Sequence, residues 1–320
     1  MAGIALWTAL VLLITGLLAL DLGVFQRKAH HPSFKEAAGW SAAWITLALL
    51  FGAGIWWTRG AQSGLEFFTG YLIELSLSVD NVFLFAVIFT AYGVAPSSQR
   101  RVLFWGILSA AAMRAIMIFA GTALLQRFHW LIYPFGALLL FTGARLLIKK
   151  QGDEEAAHKP LAAWLERHLP VVARFEADQF FTRVDGRVYA TRLFLVLAIV
   201  EATDLVFALD SIPAVLAVTR DPLIVFSSNI LAILGLRSLY FLLSGMMDRF
   251  EYLPYGLGVI LMFVGLKMVG VIKPPIVLAL LAIALILAAS AAASWLKARR
   301  RSPADANDLA VREEWEASPD

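Results

Sequence analysis

Seven ionisable side chains stand inside stretches that are otherwise almost wholly apolar. Five are acids, Glu74, Asp80, Glu201, Asp204 and Asp210, and two are bases, Arg114 and Arg237. On insertion scales a charge at the bilayer centre costs roughly 2.5–3.5 kcal/mol, so seven facing lipid would cost on the order of 20 kcal/mol. They must face one another or water. With five acids against two bases, three negative charges are unmatched when all are ionised. A purely structural network would balance. An unbalanced one needs protons, a bound cation or both, because a lone buried carboxyl otherwise stays neutral. The chemistry on offer is cation binding or proton relay.

Spacing sharpens this. Glu74, Ser78 and Asn81 recur at i, i+4 and i+7 and share one helix face, as do Glu201, Asp204 and Ser211 at i, i+3 and i+10. Asp80 and Asp210 follow their partner acids by six residues and point about 120° away on an ideal helix. To converge they need a neighbouring helix on that side or a break. Pro213 is the candidate break, since it cannot donate to the Leu209 carbonyl and clashes with it. Pro213 comes three residues after Asp210, whereas three residues after Asp80 stands Phe83, which makes any break one-sided. All five histidines (His30, His31, His129, His158, His168) fall in connections and there is no cysteine, so the site offers oxygen ligands. Such a set suits Mn²⁺, Mg²⁺ or Ca²⁺ rather than Zn²⁺ or Cu⁺. Met113 and Met117, at i and i+4, read as packing. Without an intramembrane imidazole the carboxylates are the route for a counter-moving proton. No His-Glu-x-x-His, no thiol and no serine beside a histidine within a span points to catalysis, so no enzyme is expected.

These residues belong to a chain of 320 residues that is 60% apolar and 16% charged, against roughly 45–50% and 25% for soluble domains. Nine hydrophobic segments stand out, at about 2–22, 40–58, 66–91, 102–125, 130–148, 191–219, 223–247, 253–272 and 275–297. Most match the roughly 20 residues that cross a bilayer core as a helix. The expectation is an all-α integral membrane protein of about nine transmembrane helices. The first segment lacks a basic n-region and a small-residue cleavage site, and is expected to be a retained helix. Lys and Arg accumulate on the cytoplasmic side of bilayers. Nineteen fall on the side reached after the first segment and four (Arg59, Arg127, Arg220, Lys273) on the other. This places the N-terminus outside and the C-terminus in the cytoplasm. The 149–190 connection is expected to be a cytoplasmic loop with a β-hairpin turning at Asp185-Gly186, and 298–320 a disordered cytoplasmic tail.

An internal repeat joins the charges to the spans. Glu74-Leu-Ser-Leu-Ser-Val-Asp80-Asn81 matches Asp204-Leu-Val-Phe-Ala-Leu-Asp210-Ser211: acid, five residues, Asp, small polar. Ile107 to Arg114 matches Ile230 to Arg237. Pro134-Phe-Gly136 matches Pro254-Tyr-Gly256, and Gly143-Ala-Arg145 matches Gly265-Leu-Lys267. Each unit (about 66–148 and about 191–272) has three helices, an odd number, so the second copy enters the membrane from the opposite side. Inverted repeats of this kind recur in transporters, with the substrate site near the midplane where the copies meet.

The paired acidic segments, with Asp21-Leu-Gly-Val-Phe, Arg27-Lys28-Ala-His30 and Glu36-Ala-Ala-Gly-Trp40, resemble the signatures of the TerC/Alx family of bacterial membrane proteins over most of 1–295. That family takes its name from tellurium resistance, and its Alx-type members are linked to manganese export. The resemblance implies importance for Glu74, Asp80 and Asp210, with Asn81 and Asp204. The expected function is a secondary transporter exporting a divalent cation, Mn²⁺ first, driven by protons or the membrane potential. Glu74, Asp80, Asn81, Asp204, Asp210 and Ser211 would hold the metal. Glu201, Arg114, Arg237, Ser78 and Pro213 would support it. Expected partners are the metal ion and the lipid bilayer, with no resident cofactor and no nucleic acid. The rival expectations are export of small organic cations or amino acids, and a membrane scaffold in a metal or tellurite stress-response complex.

Overall fold

The computed structural model describes residues 7–8, 10, 12, 14, 16–17, 33–148, 164, 167, 171–172, 179–184, 187–243 and 252–300. The helices are α1 (Phe34–Arg59), α2 (Ala61–Ala91), α3 (Pro96–Arg127), α4 (Ile132–Ile148), α5 (Arg192–Leu216), α6 (Pro222–Leu234), α7 (Leu236–Leu243), α8 (Leu253–Val269) and α9 (Ile276–Arg300). A 3₁₀ turn (His129–Leu131) leads into α4. The strands are β1 (Val171–Val172), β2 (Phe181–Val184) and β3 (Arg187–Thr191).

Among the described residues six helical stretches are long and apolar enough to cross a membrane: α1, α2, α3, 129–148, 222–243 and 276–297. The other three expected segments differ for separate reasons. The first lies largely outside the described residues; those of its residues that are described are helical, and Leu10 and Ile14 pack with α1 and α6. α8 has 17 residues, short of the roughly 20 that span a bilayer core. α5 is 25 residues long but carries Glu201, Asp204 and Asp210.

Local chemistry explains where the helices begin. α1 starts six residues before its apolar run, because Ser33 and Glu36 form a reciprocal capping box: the Glu36 amide donates to Ser33 Oγ at 3.3 Å and the Ser33 amide to Glu36 Oε2 at 2.9 Å. α1 and α2 are joined by Gly60 alone, at φ 93° and ψ 167°, a region that excludes residues with a Cβ. α3 begins with Pro96 in its first turn, where the missing N–H is no loss. α5 runs unbroken through Pro213 to Leu216, so the break considered there does not occur. Pro213 sits in the last turn, where it removes one hydrogen bond and its carbonyl still accepts from Ala217 N at 2.9 Å. An interruption occurs elsewhere, at Gly235 between α6 and α7, two residues before Arg237.

Two apolar clusters fill the bundle toward its opposite ends. One joins Phe85, Phe89 and Leu103 to Ile199 and Tyr240; the other joins Ile73, Ile118 and Leu139 to Ile212, Leu261 and Ile283. A third packs Trp44 and Phe67 against Ile224 and Leu231. α4 and α8 meet through glycine. A Cβ on Gly143 would lie 2.7 Å from Gly258 O, one on Gly258 would lie 2.9 Å from Gly143 O, and one on Gly265 would lie 3.1 Å from Gly136 O. Only hydrogen at these positions lets the backbones approach so closely. The pairing of Gly136 with Gly265 and Gly143 with Gly258 makes the two helices antiparallel. Gly256, matched to Gly136 by sequence, instead faces Ser290 of α9. α9 turns Leu278, Leu281, Leu285, Trp295 and Leu296 outward, the surface expected of a helix bathed by lipid.

β2 pairs antiparallel with β3, Val184 opposite Arg187, and β1 lies parallel on the other side of β3. The expected turn residues, Asp185 and Gly186, lie outside the described residues, as does the tail beyond Arg300. Thr191 ties this sheet to α5. Its hydroxyl donates to Gln179 O at 2.6 Å and caps the helix by accepting from Phe194 N at 3.4 Å.

Candidate functional site

Arg114, halfway along α3, is 1% exposed and lies between Glu74 of α2 (0%) and Asp204 of α5 (2%). Its Nη1 donates to Glu74 Oε2 at 2.8 Å. Nη2 and Nε donate to the two oxygens of Asp204 at 3.0 and 3.4 Å, a forked contact. The positive charge is thus shared by acids from two different helices. The α2–α5 pairing is reciprocal as well. Asn81 Nδ2 of α2 donates to Asp204 Oδ1 at 3.4 Å, while Ser211 of α5 faces Glu74 and lies 3.4 Å from Arg114 Nη1. In each motif the polar residue seven positions after the first acid serves the acid of the other.

Asn229 of α6 completes the group. It is fully buried, and its Nδ2 donates to Glu74 Oε1 at 2.6 Å. Two polar atoms here, Asn81 Oδ1 and Asn229 Oδ1, have no hydrogen-bond partner, nor has buried Ser78 Oγ on the same face of α2. Buried polar atoms are seldom left so. The cluster as it stands is an oxygen-rich cage of two carboxylates, two amides and one hydroxyl around one guanidinium, with a formal charge of −1 from two acids and one base.

Among the described residues the other acids named from sequence do not group with Glu74 and Asp204. Glu201 is half-buried and accepts from Ser109 Oγ of α3. Asp210 is half-buried and accepts from Thr142 Oγ1 of α4 at 3.0 Å, with Arg145 in electrostatic range. Asp80 is half-buried in α2, and Arg237 is buried in α7. Glu74, Asn81, Asp204 and Ser211 therefore come together with Arg114, whereas Asp80 and Asp210 do not join them. Among the described residues no three His, Cys, Asp or Glu side chains are grouped to hold a metal ion. The rotation of about 120° on an uninterrupted helix keeps the second acid of each motif away from the first. Asn229, Ser109 and Thr142 were not singled out from sequence. The signal for Asn229 was present: Ser227-Ser228-Asn229 is the one run of three consecutive polar residues inside an apolar segment.

The model of the integral membrane protein TerC family matches residues 59–302 of this chain. The chain belongs to the TerC family. It is similar to the uncharacterized membrane protein STKORF319 of Myxococcus xanthus, 53% identical over 304 residues, which cover 94% of this chain and 95% of the relative. It is also similar to proteins named membrane-bound redox modulator Alx. The one from Salmonella typhi is 50% identical over 272 residues (82% of this chain, 84% of the relative), and the one from Escherichia coli K12 is 47% identical over 272 residues (82% and 85%). No solved structure matches. This TerC-family chain is an integral, multi-pass membrane protein of predominantly helical fold, and the matched region contains every residue of the site.

Proposed function

We propose that this TerC-family protein is a secondary transporter that exports a divalent metal cation, Mn²⁺ foremost, across the bacterial inner membrane, and that the cation exchanges places with the Arg114 guanidinium. The observation that carries this reading is a full-length cation held midway along the bundle by acids from two helices, amid oxygen atoms that still lack partners. Glu74 and Asp204 would ligate the metal with Asn81, Ser211 and Asn229. Asp80 and Asp210, each set apart from the centre, would receive it on either side or carry protons the other way. The reading of two oppositely inserted halves is supported by an antiparallel seam of repeat-equivalent residues, Glu74/Asn81 against Asp204/Ser211, and by a second antiparallel seam, Gly136/Gly143 against Gly258/Gly265, in which Gly143 and Gly265 are equivalent. Rocking one half on the other would alternate access. The relatives' name concerns redox. This chain has no cysteine, so a thiol cannot be its means, whereas moving a redox-active metal would affect cellular redox without one.

The guanidinium itself favours one rival, a carrier of organic cations. Mn²⁺ flux into proteoliposomes decides between them. Glu74→Gln with Asp204→Asn is expected to abolish saturable Mn²⁺ flux. If flux persists in that variant, or if a guanidinium compound is carried while Mn²⁺ is not, manganese transport through this site is wrong.

A further inference from the structure

A second polar cavity lies away from the Arg114 centre, at the end of the bundle where α5 and α8 finish and the 3₁₀ turn joins α3 to α4. It has a volume of about 440 Å³. Three of its lining side chains are cationic, Arg220, Lys267 and Lys273, and one is acidic, Glu66. Leu125, Ile132, Leu216, Met268 and Ile272 form apolar walls.

The single acid is already engaged at both oxygens: Gln62 Nε2 donates to Oε1 at 3.0 Å and Thr219 Oγ1 to Oε2 at 2.6 Å. Glu66 acts on Lys267 electrostatically, yet among the described residues Lys267 makes no ion pair within 4 Å and no side-chain hydrogen bond, nor does Lys273. The chain turns back to bring these two lysines to one mouth. Gly270, at φ 86°, ends α8 in the left-handed conformation, with Val271 N donating to Leu266 O at 3.1 Å. That reversal carries Lys273 over the opening, its Cε 3.9 Å from where a Gly270 Cβ would be.

Arg220 Nη1 lies 3.3 Å from His129 Nε2, and the C-termini of α5 and α8 add partial negative charge at this end. Lys267 and Lys273 remain without an ion-pair partner among the described residues, beside Thr219 and the apolar side chains.

We propose that this cavity is a binding site for a phosphate-bearing monoanion, held by Lys267 and Lys273 with Arg220 at the rim. The headgroup of an anionic phospholipid and free inorganic phosphate share that chemistry. The apolar walls suit acyl or glycerol carbons beside the phosphate, and the cavity lies where α5 and α8 end.

The test uses the purified full chain in neutral detergent, read as thermal unfolding midpoint. One arm titrates sodium phosphate against sodium chloride at equal ionic strength. The other titrates phosphatidylglycerol against diacylglycerol of the same chains. At least one arm is expected to raise the midpoint saturably, and the responding arm names the source. Lys267→Gln with Lys273→Gln is expected to weaken the apparent affinity by about tenfold or more, since each charge-assisted contact is strong, while Lys267→Arg with Lys273→Arg stays within about threefold of wild type. Should the Gln pair not fold, exposed Lys273→Gln alone must still weaken it. No saturable shift in either arm, or a Gln variant that responds as wild type does, overturns the site. The readout is binding, so a failed Mn²⁺ flux assay leaves this result standing, and the reverse.

Discussion

Replacing Arg114 with methionine probes the centre most directly. The change removes contacts of 2.8 and 3.0 Å and two of 3.4 Å, and leaves Glu74 and Asp204 buried with no base between them. Summing four charged hydrogen bonds at roughly 1.5–3 kcal/mol each would overstate the loss, because the abandoned carboxyls can take up protons. Breaking a buried pair costs about 3–5 kcal/mol, and that is the expected destabilisation of Arg114→Met in metal-free detergent solution. If the guanidinium stands where the transported cation goes, Mn²⁺ should replace it. At about 100 times its Kd, a ligand specific to the folded state stabilises by about 2.7 kcal/mol. Thermal unfolding with chelator and with Mn²⁺ should therefore show a larger metal-induced rise in Arg114→Met than in wild type, where the metal must first displace the arginine. The triple variant Glu74→Gln, Arg114→Met, Asp204→Asn carries no buried charge at this point. It should be more stable than the single variant and indifferent to Mn²⁺. An Arg114→Met protein no more responsive to metal than wild type, or a triple variant that responds equally, would refute the exchange of arginine for metal.

Three further outcomes are expected. Asn229→Ala strips Glu74 Oε1 of its donor at 2.6 Å and should lower stability by about 1–3 kcal/mol, with a raised KM for Mn²⁺ flux that a surface alanine would not produce. Gly143→Ala places a methyl group 2.7 Å from Gly258 O and 3.0 Å from Met262 N. Forcing α4 and α8 apart should cost about 1–3 kcal/mol in unfolding measurements, whereas Gly54→Ala, with open space around its Cβ position on α1, should be neutral or stabilise by about 0.4–1 kcal/mol. Thr191→Val loses the α5 cap and the bond to Gln179 O. It should cost about 1 kcal/mol and speed amide exchange at the start of α5, without altering exchange at Arg114.

The charged positions were legible because their setting is improbable: Glu74, Arg114 and Asp204 stand in apolar runs where a solitary charge would be expelled. The same reasoning found the motif pairing that the contacts Asn81–Asp204 and Ser211–Arg114 now give a spatial meaning. Helix periodicity also indicated that Asp80 and Asp210 point away from their partners. It could not say which neighbour each would meet, and Thr142 of α4 is the answer for Asp210. Sequence left open whether Pro213 breaks its helix; α5 continues through it to Leu216, without the hydrogen bond to the Leu209 carbonyl that a proline cannot make.

Composition and spacing alone thus determined a membrane-embedded helical chain with surplus buried acidity, because burial of charge is penalised whatever the fold. Which base answers which acid depends on how helices cross. Arg114 and Arg237 are equivalent in sequence, yet Arg114 lies between Glu74 and Asp204. The packing of Gly136, Gly143, Gly258 and Gly265 was likewise decided only in three dimensions, since a glycine's role depends on whose backbone approaches it. Asn229 belongs with them: an amide among apolar residues says that it needs a partner, and only the folded bundle supplies Glu74.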